Sequence, residues 1–163
     1  VLAYNNPGRT GVSIAPEVAA SVAAQAPNFQ GIKDSSGDLT NTMNYITQCP
    51  FTFKVFMGRD TLIYAGLCYG CAGAVAATAN VVPELVVSIY DAFQAGNDAL
   101  AWERQQKLAP LRLAFSLASF PVIVKDAMEM IGLPAGPCRA PIRSVTGTQR
   151  EALRQVLVAL GKL

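Results

Sequence analysis

Apolar positions along the chain fall into two alternating patterns. Short apolar runs at residues 1–4, 29–33, 53–57 and 73–76 are followed by Asn, Pro, Gly, Ser or Asp. Runs of this length with such punctuation predict strands. Between them, apolar residues recur at helical spacing. Pro16 and Glu17 form the first turn of a helix that carries Val18, Ala19, Val22 and Ala23 and stops at Pro27-Asn28. Asp38 is placed to cap a helix over 39–47, which Cys49-Pro50 ends. Helices are predicted over 61–68 and over 84–94, the latter ending near Gly96. Asn5-Asn6-Pro7-Gly8, the segment 35–38 and the segment 80–83 read as turns.

This alternation is four βα units in a row, the mark of a parallel sheet with helical crossovers. After residue 97 the pattern changes. Segments 98–119, 121–131 and 148–160 read as helices only, with Pro134, Gly136, Pro137 and Pro141 in a linker before the last. The expected plan is α/β over 1–97 followed by a helical C-terminal region over 98–163. Four parallel strands cannot close a barrel, and parallel sheets are covered on both faces. Two architectures fit: a small open-sheet domain, or half of a (β/α)8 barrel, a fold of about 250 residues. A start inside a strand without Met, and a bare strand edge at 1–4, favour the half-barrel.

Composition narrows the function classes. The chain has 163 residues, 52% of them hydrophobic and 15% charged, with a net charge of +2. That supports one real core and contacts with partner subunits. Positive residues are scattered, which excludes a nucleic-acid groove. The longest apolar runs are far shorter than the roughly 20 residues a membrane helix needs. There is no histidine, so no Ser-His-Asp triad and no imidazole base. Proton chemistry falls to Lys, Tyr, Asp, Glu, Cys or water. Of Cys49, Cys68, Cys71 and Cys138, the Cys68/Cys71 pair closes a helix instead of opening one. The four read as small apolar core residues of a reduced, cytoplasmic protein, without a metal site.

In α/β folds reactive groups collect at the carboxyl ends of strands. Those ends hold Tyr4, Lys33, Gly58 and Val75. A lysine ending an apolar strand is costly to bury, and burial favours the neutral amine that attacks carbonyls. Gly31, two residues earlier on the same face, leaves room below it. The plainer reading is that Lys33 reaches solvent or pairs with Asp34, and spacing alone does not separate the two. By themselves, Tyr4 reads as a packing residue and Arg9 as a loop charge.

Longer motifs carry more. Tyr4-Asn5-Asn6-Pro7-Gly8-Arg9-Thr10-Gly11 resembles a Y-N-x-P-x-R-T-G segment, and Gly31-Ile32-Lys33-Asp34-Ser35-Ser36-Gly37-Asp38 a G-x-K-[DE]-[SA]-[ST]-G-D segment. Gly58-Arg59-Asp60 and the run Gly73-Ala74-Val75-Ala76-Ala77-Thr78-Ala79-Asn80-Val81 resemble two pocket-lining segments. In order and spacing the set is similar to the C-terminal half of the dihydrodipicolinate synthase and N-acetylneuraminate lyase family, over essentially the whole chain. The resemblance implies the second half of a TIM barrel with a helical extension. It implies a pyruvate-dependent Schiff-base lyase of the class I aldolase type, in which Lys33 forms the imine and Tyr4 shuttles protons. Arg9 would hold the carboxylate of the second substrate, and Gly58 and Val75 would border the pyruvate. No cofactor is implied. The partners implied are pyruvate and a small aldehyde or 2-oxo acid, with a homo-oligomer, in family terms a homotetramer.

Within the family, Arg9 favours a synthase of lysine biosynthesis. The segment Gly136-Pro137-Cys138-Arg139-Ala140-Pro141 looks more like hydroxy-oxoglutarate aldolases, and Ala76 stands where the family pattern has Ser. The family's Thr-Thr pair, its tyrosine that reaches a neighbouring subunit and its G-x-T-G-E segment do not occur in this sequence. The chain alone is therefore expected to be inactive, with Lys33 at the open edge of a half-barrel and its other half required. A non-catalytic binding protein or an assembly subunit on the same scaffold are the alternatives from other classes.

Overall fold

The computed structural model describes residues 1–163. Four strands, β1 (Leu2–Asn5), β2 (Gly31–Asp34), β3 (Lys54–Met57) and β4 (Gly73–Ala74), form one sheet in the order β1-β2-β3-β4. Every pairing is parallel, with Tyr4 opposite Lys33 and Lys33 opposite Phe56. Around them run α1 (Pro7–Thr10), α2 (Pro16–Gln25), α3 (Leu39–Gln48), α4 (Ile63–Tyr69), α5 (Pro83–Gln94), α6 (Asp98–Leu113), α7 (Val122–Met130) and α8 (Gly147–Ala159). The four βα units and the helical region after residue 97 match the sequence pattern.

The differences are local. Asn5 to Gly8 is not a plain turn: Pro7, fixed near helical φ, starts the one-turn helix α1, and Gly11 closes it at φ 72°. The strand expected over 73–76 is cut to two residues, and Ala77–Asn80 forms a 3-10 turn. Another 3-10 turn, Asp60–Leu62, precedes α4. The helix expected over 98–119 gives way after Leu113 to a 3-10 turn, Ala114–Leu117. Asp38 caps α3 as expected, its carboxylate accepting the N–H groups of Thr40 at 2.8 Å and Asn41 at 3.3 Å.

Two cores hold the elements together. Ile32, Tyr45, Phe53, Val55, Met57 and Cys71 pack the first three strands against α2 and α3. A larger cluster, with Ile63, Leu85, Ile89, Leu108, Leu111, Ile123, Leu153 and Leu157 at its centre, joins α4 through α8 and draws on both sides of residue 97. Side chains in such a core lose about 2–5 kcal/mol of stability when truncated to alanine. No single helix is long and apolar enough to cross a membrane. The cysteines divide, against the expectation of four core thiols. Cys49 and Cys71 are buried, Cys138 is half-buried and Cys68 is exposed, because it falls on the outer face of α4. Burial pushes the Cys71 thiol up to about 12.

Candidate active site

The carboxyl ends of the strands line up through backbone bonds that continue the ladder. Ser35 N–H donates to Asn5 O at 2.8 Å, Gly58 N–H to Asp34 O at 2.8 Å and Val75 N–H to Met57 O at 2.9 Å. This sets Ser35, Gly58 and Val75 in one row. Beside the row lies an open cavity of about 620 Å³ whose walls include Tyr4, Arg9, Lys33, Gly58 and Val75. All five residues singled out in the sequence meet there.

Lys33 is half-buried on β2, a strand paired on both sides. It is thus not at an open edge of the sheet, where the sequence reading put it; the edges are β1 and β4. Register places Lys33 next to Tyr4, and its Nζ sits 4.5 Å from the centre of the Tyr4 ring. A cation or amine over an aromatic face is held by the ring quadrupole. The Tyr4 hydroxyl accepts from Asn6 Nδ2 at 2.8 Å, which leaves its own O–H to donate elsewhere.

An ion pair between Lys33 and Asp34 does not form. Successive residues of a strand point to opposite faces, and Asp34 is fully buried on the helix side. Its Oδ1 accepts from Asn5 Nδ2 at 2.9 Å and Ser36 N–H at 3.0 Å. Its Oδ2 accepts from Thr42 Oγ1 at 2.8 Å and Asn41 Nδ2 at 3.2 Å. One carboxylate thereby ties β1, β2, the following loop and α3, and fixes the strand that presents Lys33.

The two glycines act through close approach. A Cβ on Gly58 would lie 2.0 Å from Ser35 Oγ and 2.8 Å from Asp34 O, so only glycine fits in the row. The sequence pattern predicts that Gly31 leaves room below the lysine. That space is in fact closed: a Cβ there would lie 2.3 Å from Lys54 O and 2.8 Å from Leu2 Cδ2. Its lack of a side chain lets neighbouring strands approach instead.

Arg9 is exposed in the last turn of α1, its guanidinium carbon 5.7 Å from the centre of the Phe120 ring. Val75 is 45% exposed at the cavity wall. Ala76, without a hydroxyl, leads into the turn at Ala77–Asn80.

Asn6, Arg59 and Asp60, present in the quoted motifs but given no role there, also line the cavity, and so do Arg112 and Phe120, which sequence reasoning missed. Asp60 is buried, and its Oδ2 accepts from Thr78 N–H at 2.8 Å and Thr78 Oγ1 at 2.7 Å. Its Oδ1 lies 3.5 Å from Arg112 Nε. Gln105 Nε2 donates to Asp60 O at 2.9 Å, and its Oε1 accepts from Tyr64 N–H at 3.0 Å. The Gly58-Arg59-Asp60 motif marked the place of Asp60 but not the pairing that its carboxylate makes. Arg112 lies about fifty residues further on, within a helix, and no local signal marks it.

Comparison with known proteins gives the family and the fold. The model of the dihydrodipicolinate synthetase family matches residues 1–160. The 4-hydroxy-tetrahydrodipicolinate synthase of Methanoculleus marisnigri is 39% identical over 162 residues, which cover 99% of this chain and 55% of that one. The crystal structure of dihydrodipicolinate synthase from Thermotoga maritima superposes with a TM-score of 0.93 at 32% identity, over 99% of this chain and 56% of that one. A prophage protein of the dihydrodipicolinic acid synthase family from E. coli K12, solved in complex with pyruvate, gives 0.93 at 25% identity, over 100% and 56%. The chain spans about half the length of these relatives, and its four βα units with their helical extension correspond to that part of their barrels. On the match of residues 1–160 and the shared fold, this chain belongs to the dihydrodipicolinate synthetase family.

Proposed function

We propose that this chain carries the imine-forming half of a pyruvate-dependent lyase, with 4-hydroxy-tetrahydrodipicolinate synthase as the activity. The observation that carries the reading is Lys33 Nζ, 4.5 Å from the Tyr4 ring, in a cavity that Arg9, Gly58 and Val75 also line. The prophage relative bound to pyruvate has the same fold over the whole of this chain.

In this reading Lys33, once its ammonium has given up a proton, attacks the keto carbon of pyruvate. The carbinolamine loses water and leaves an imine. The imine draws electrons from the adjacent methyl, which gives up a proton and becomes an enamine. The enamine carbon forms the new bond to an aldehyde carbon, and the aldehyde oxygen takes a proton. Water then releases the product and restores Lys33. Tyr4 relays these protons, a role supported by a hydroxyl that keeps its own O–H free to donate. Arg9 holds the carboxylate of the aldehyde substrate in a charge-assisted pair.

The outer strands β1 and β4 each leave one edge of the sheet unpaired, and Val1, Leu2, Tyr4 and Val75 are exposed there. Activity accordingly needs the complementary half of the barrel to cover those edges and complete the pyruvate pocket. Unpaired thiols at all four cysteines suit a reducing cytoplasm, and the exposed Val87, Tyr90 and Trp102 on α5 and α6 suit contacts between subunits of a homo-oligomer. The 136–141 segment favours a second reading within the family, an aldolase or dehydratase acting on a hydroxylated or sugar-derived 2-oxo acid.

Turnover of the whole protein with pyruvate and aspartate semialdehyde, set against cleavage of 4-hydroxy-2-oxoglutarate, separates the two. Faster condensation supports the synthase, faster cleavage supports the aldolase, and neither reaction occurring refutes the lyase assignment.

A further inference from the structure

The cavity carries more positive charge than its own acid group answers. Arg9, Lys33, Arg59 and Arg112 line it, and Asp60 is the one carboxylate among the lining residues. Asp60 is already engaged, with Oδ2 taken by Thr78 and Oδ1 by Arg112 at 3.5 Å. Arg59 has no carboxylate within ion-pair distance. Its Nη2 donates to Ser36 O at 3.4 Å, and its Nε is buried without a partner. Gly37 allows this position, because even a Cβ there would come within 3.1 Å of that nitrogen. Burying a guanidinium nitrogen with its donor unused is costly.

Arg112 shares the wall. Its side chain is 24% exposed, and its guanidinium carbon lies 5.0 Å from the centre of the Phe115 ring. Burial holds Arg112 below its usual value, the Asp60 carboxylate opposes this, and the like charge of Arg59 adds to it. Two guanidinium groups near enough to repel, one with an idle buried N–H, share the cavity wall without a second acid group. A carboxylate in the cavity would answer the positive charge of both groups and screen the repulsion, and planar guanidinium forks match carboxylate geometry. Arg9 belongs to a different element, α1, and lies against Phe120.

We propose that Arg59 and Arg112 form a second carboxylate subsite, distinct from Arg9, for the far acid group of a dicarboxylate substrate. The proposal rests on the lyase reading, in which Lys33 holds the oxo-acid end of the same molecule.

The test is calorimetric titration of the whole protein with glutarate, with valerate as the monoacid of equal chain length, and with inorganic phosphate. Glutarate is expected to bind about tenfold tighter than valerate, a difference of one charge-assisted contact. Arg59→Gln is expected to bring that ratio below about threefold. Arg112→Lys keeps a charge beside Asp60 but loses the fork, so the ratio falls while the thermal midpoint holds. Equal binding of glutarate and valerate to the wild type overturns the proposal, as does an unchanged ratio in Arg59→Gln. Phosphate binding as tightly as glutarate would assign the pair to a free inorganic anion and overturn it too. Borohydride trapping of pyruvate on Lys33 in the same preparation separates the failures: trapping without a dicarboxylate preference sinks this subsite alone, and absent trapping sinks the lyase reading.

Discussion

Replacing Asp34 tests how the fold holds its lysine in place. The carboxylate is fully buried and accepts hydrogen bonds from Asn5 Nδ2, Ser36 N–H, Thr42 Oγ1 and Asn41 Nδ2, at 2.8 to 3.2 Å. Asp34→Asn keeps the shape but turns one oxygen into a donor. Facing Asn5 and Ser36, the new amide nitrogen would meet two donors, which is the worse orientation. Facing α3, it would meet Asn41 Nδ2, also a donor, and the Thr42 hydroxyl. That hydroxyl can turn to accept, because it has a second acceptor of its own in Asp38 O at 3.1 Å. The better orientation thus loses the longest bond, at 3.2 Å, and the charge assistance of the rest. A hydrogen bond to a charged group contributes about 1.5–3 kcal/mol and a neutral one about 1 kcal/mol; no longer burying a charge offsets part of the loss, so the expected net cost is about 2–3 kcal/mol. Asp34→Ala leaves every donor unsatisfied and is expected to cost about 3–5 kcal/mol. Urea unfolding of the two variants beside the wild type measures both. At about 2–4 °C per kcal/mol for a domain of this size, the amide variant should melt roughly 4–12 °C lower. An amide variant within about 0.5 kcal/mol of wild type would refute the reasoning, since the network would then contribute no more than a surface contact.

Gly58→Ala is expected to destabilise by about 1–3 kcal/mol, because its Cβ would lie 2.8 Å from the Asp34 carbonyl that binds Gly58 N–H. Denaturation of the variant checks this, and adding Ser35→Ala should restore only the part due to the 2.0 Å approach to Ser35 Oγ. Glu129 accepts the backbone N–H groups of Ala135 and Gly136 at 2.7 Å, and these bonds hold its carboxyl below the usual carboxylate range. Its folded value is the depressed one, so the tie between α7 and this loop should be complete above about pH 4.3 and lost as pH falls through the lowered value. Amide exchange at Ala135 and Gly136, corrected for intrinsic rates, should show that loss of protection in acid and none between pH 6 and 8. Alkylation near pH 8 should mark Cys68, which is exposed, and spare Cys71, which burial pushes up to about 12; labelling of Cys71 at a similar rate would contradict the packing of α4 on β3.

The elements that could be read from the chain are those whose signal is local and repeated. Four apolar runs, each followed by a helical pattern, give a parallel sheet whatever the details, and Asp38 before Leu39 marks a helix start by its capping chemistry. Motif resemblance singled out Tyr4, Arg9, Lys33, Gly58 and Val75, and all five line one cavity. What escaped depends on distant contacts or short turns. The one-turn helix α1 and the 3-10 turns at Asp60–Leu62 and Ala77–Asn80 are too brief to show periodicity. Residues 114–119 continue a helical pattern, yet α6 stops at Leu113. The role of Gly31 was inverted because its neighbour is Lys54 O on another strand, which spacing along one strand cannot reveal. Asp34 sits beside Lys33 in sequence and on the opposite face in space. Arg112 reaches the cavity only because Gln105 and Asp60 hold α6 against the strand ends.

The account turns on Lys33 as the imine-forming residue, and mass spectrometry addresses that directly. The whole protein is treated with pyruvate and borohydride, and the resulting peptides are mapped, with Lys33→Arg as control. The account predicts one added pyruvate-derived group, lost in the variant and placed on the peptide containing Gly31-Ile32-Lys33-Asp34. An adduct on another lysine, or none on a protein that turns pyruvate over, would contradict it.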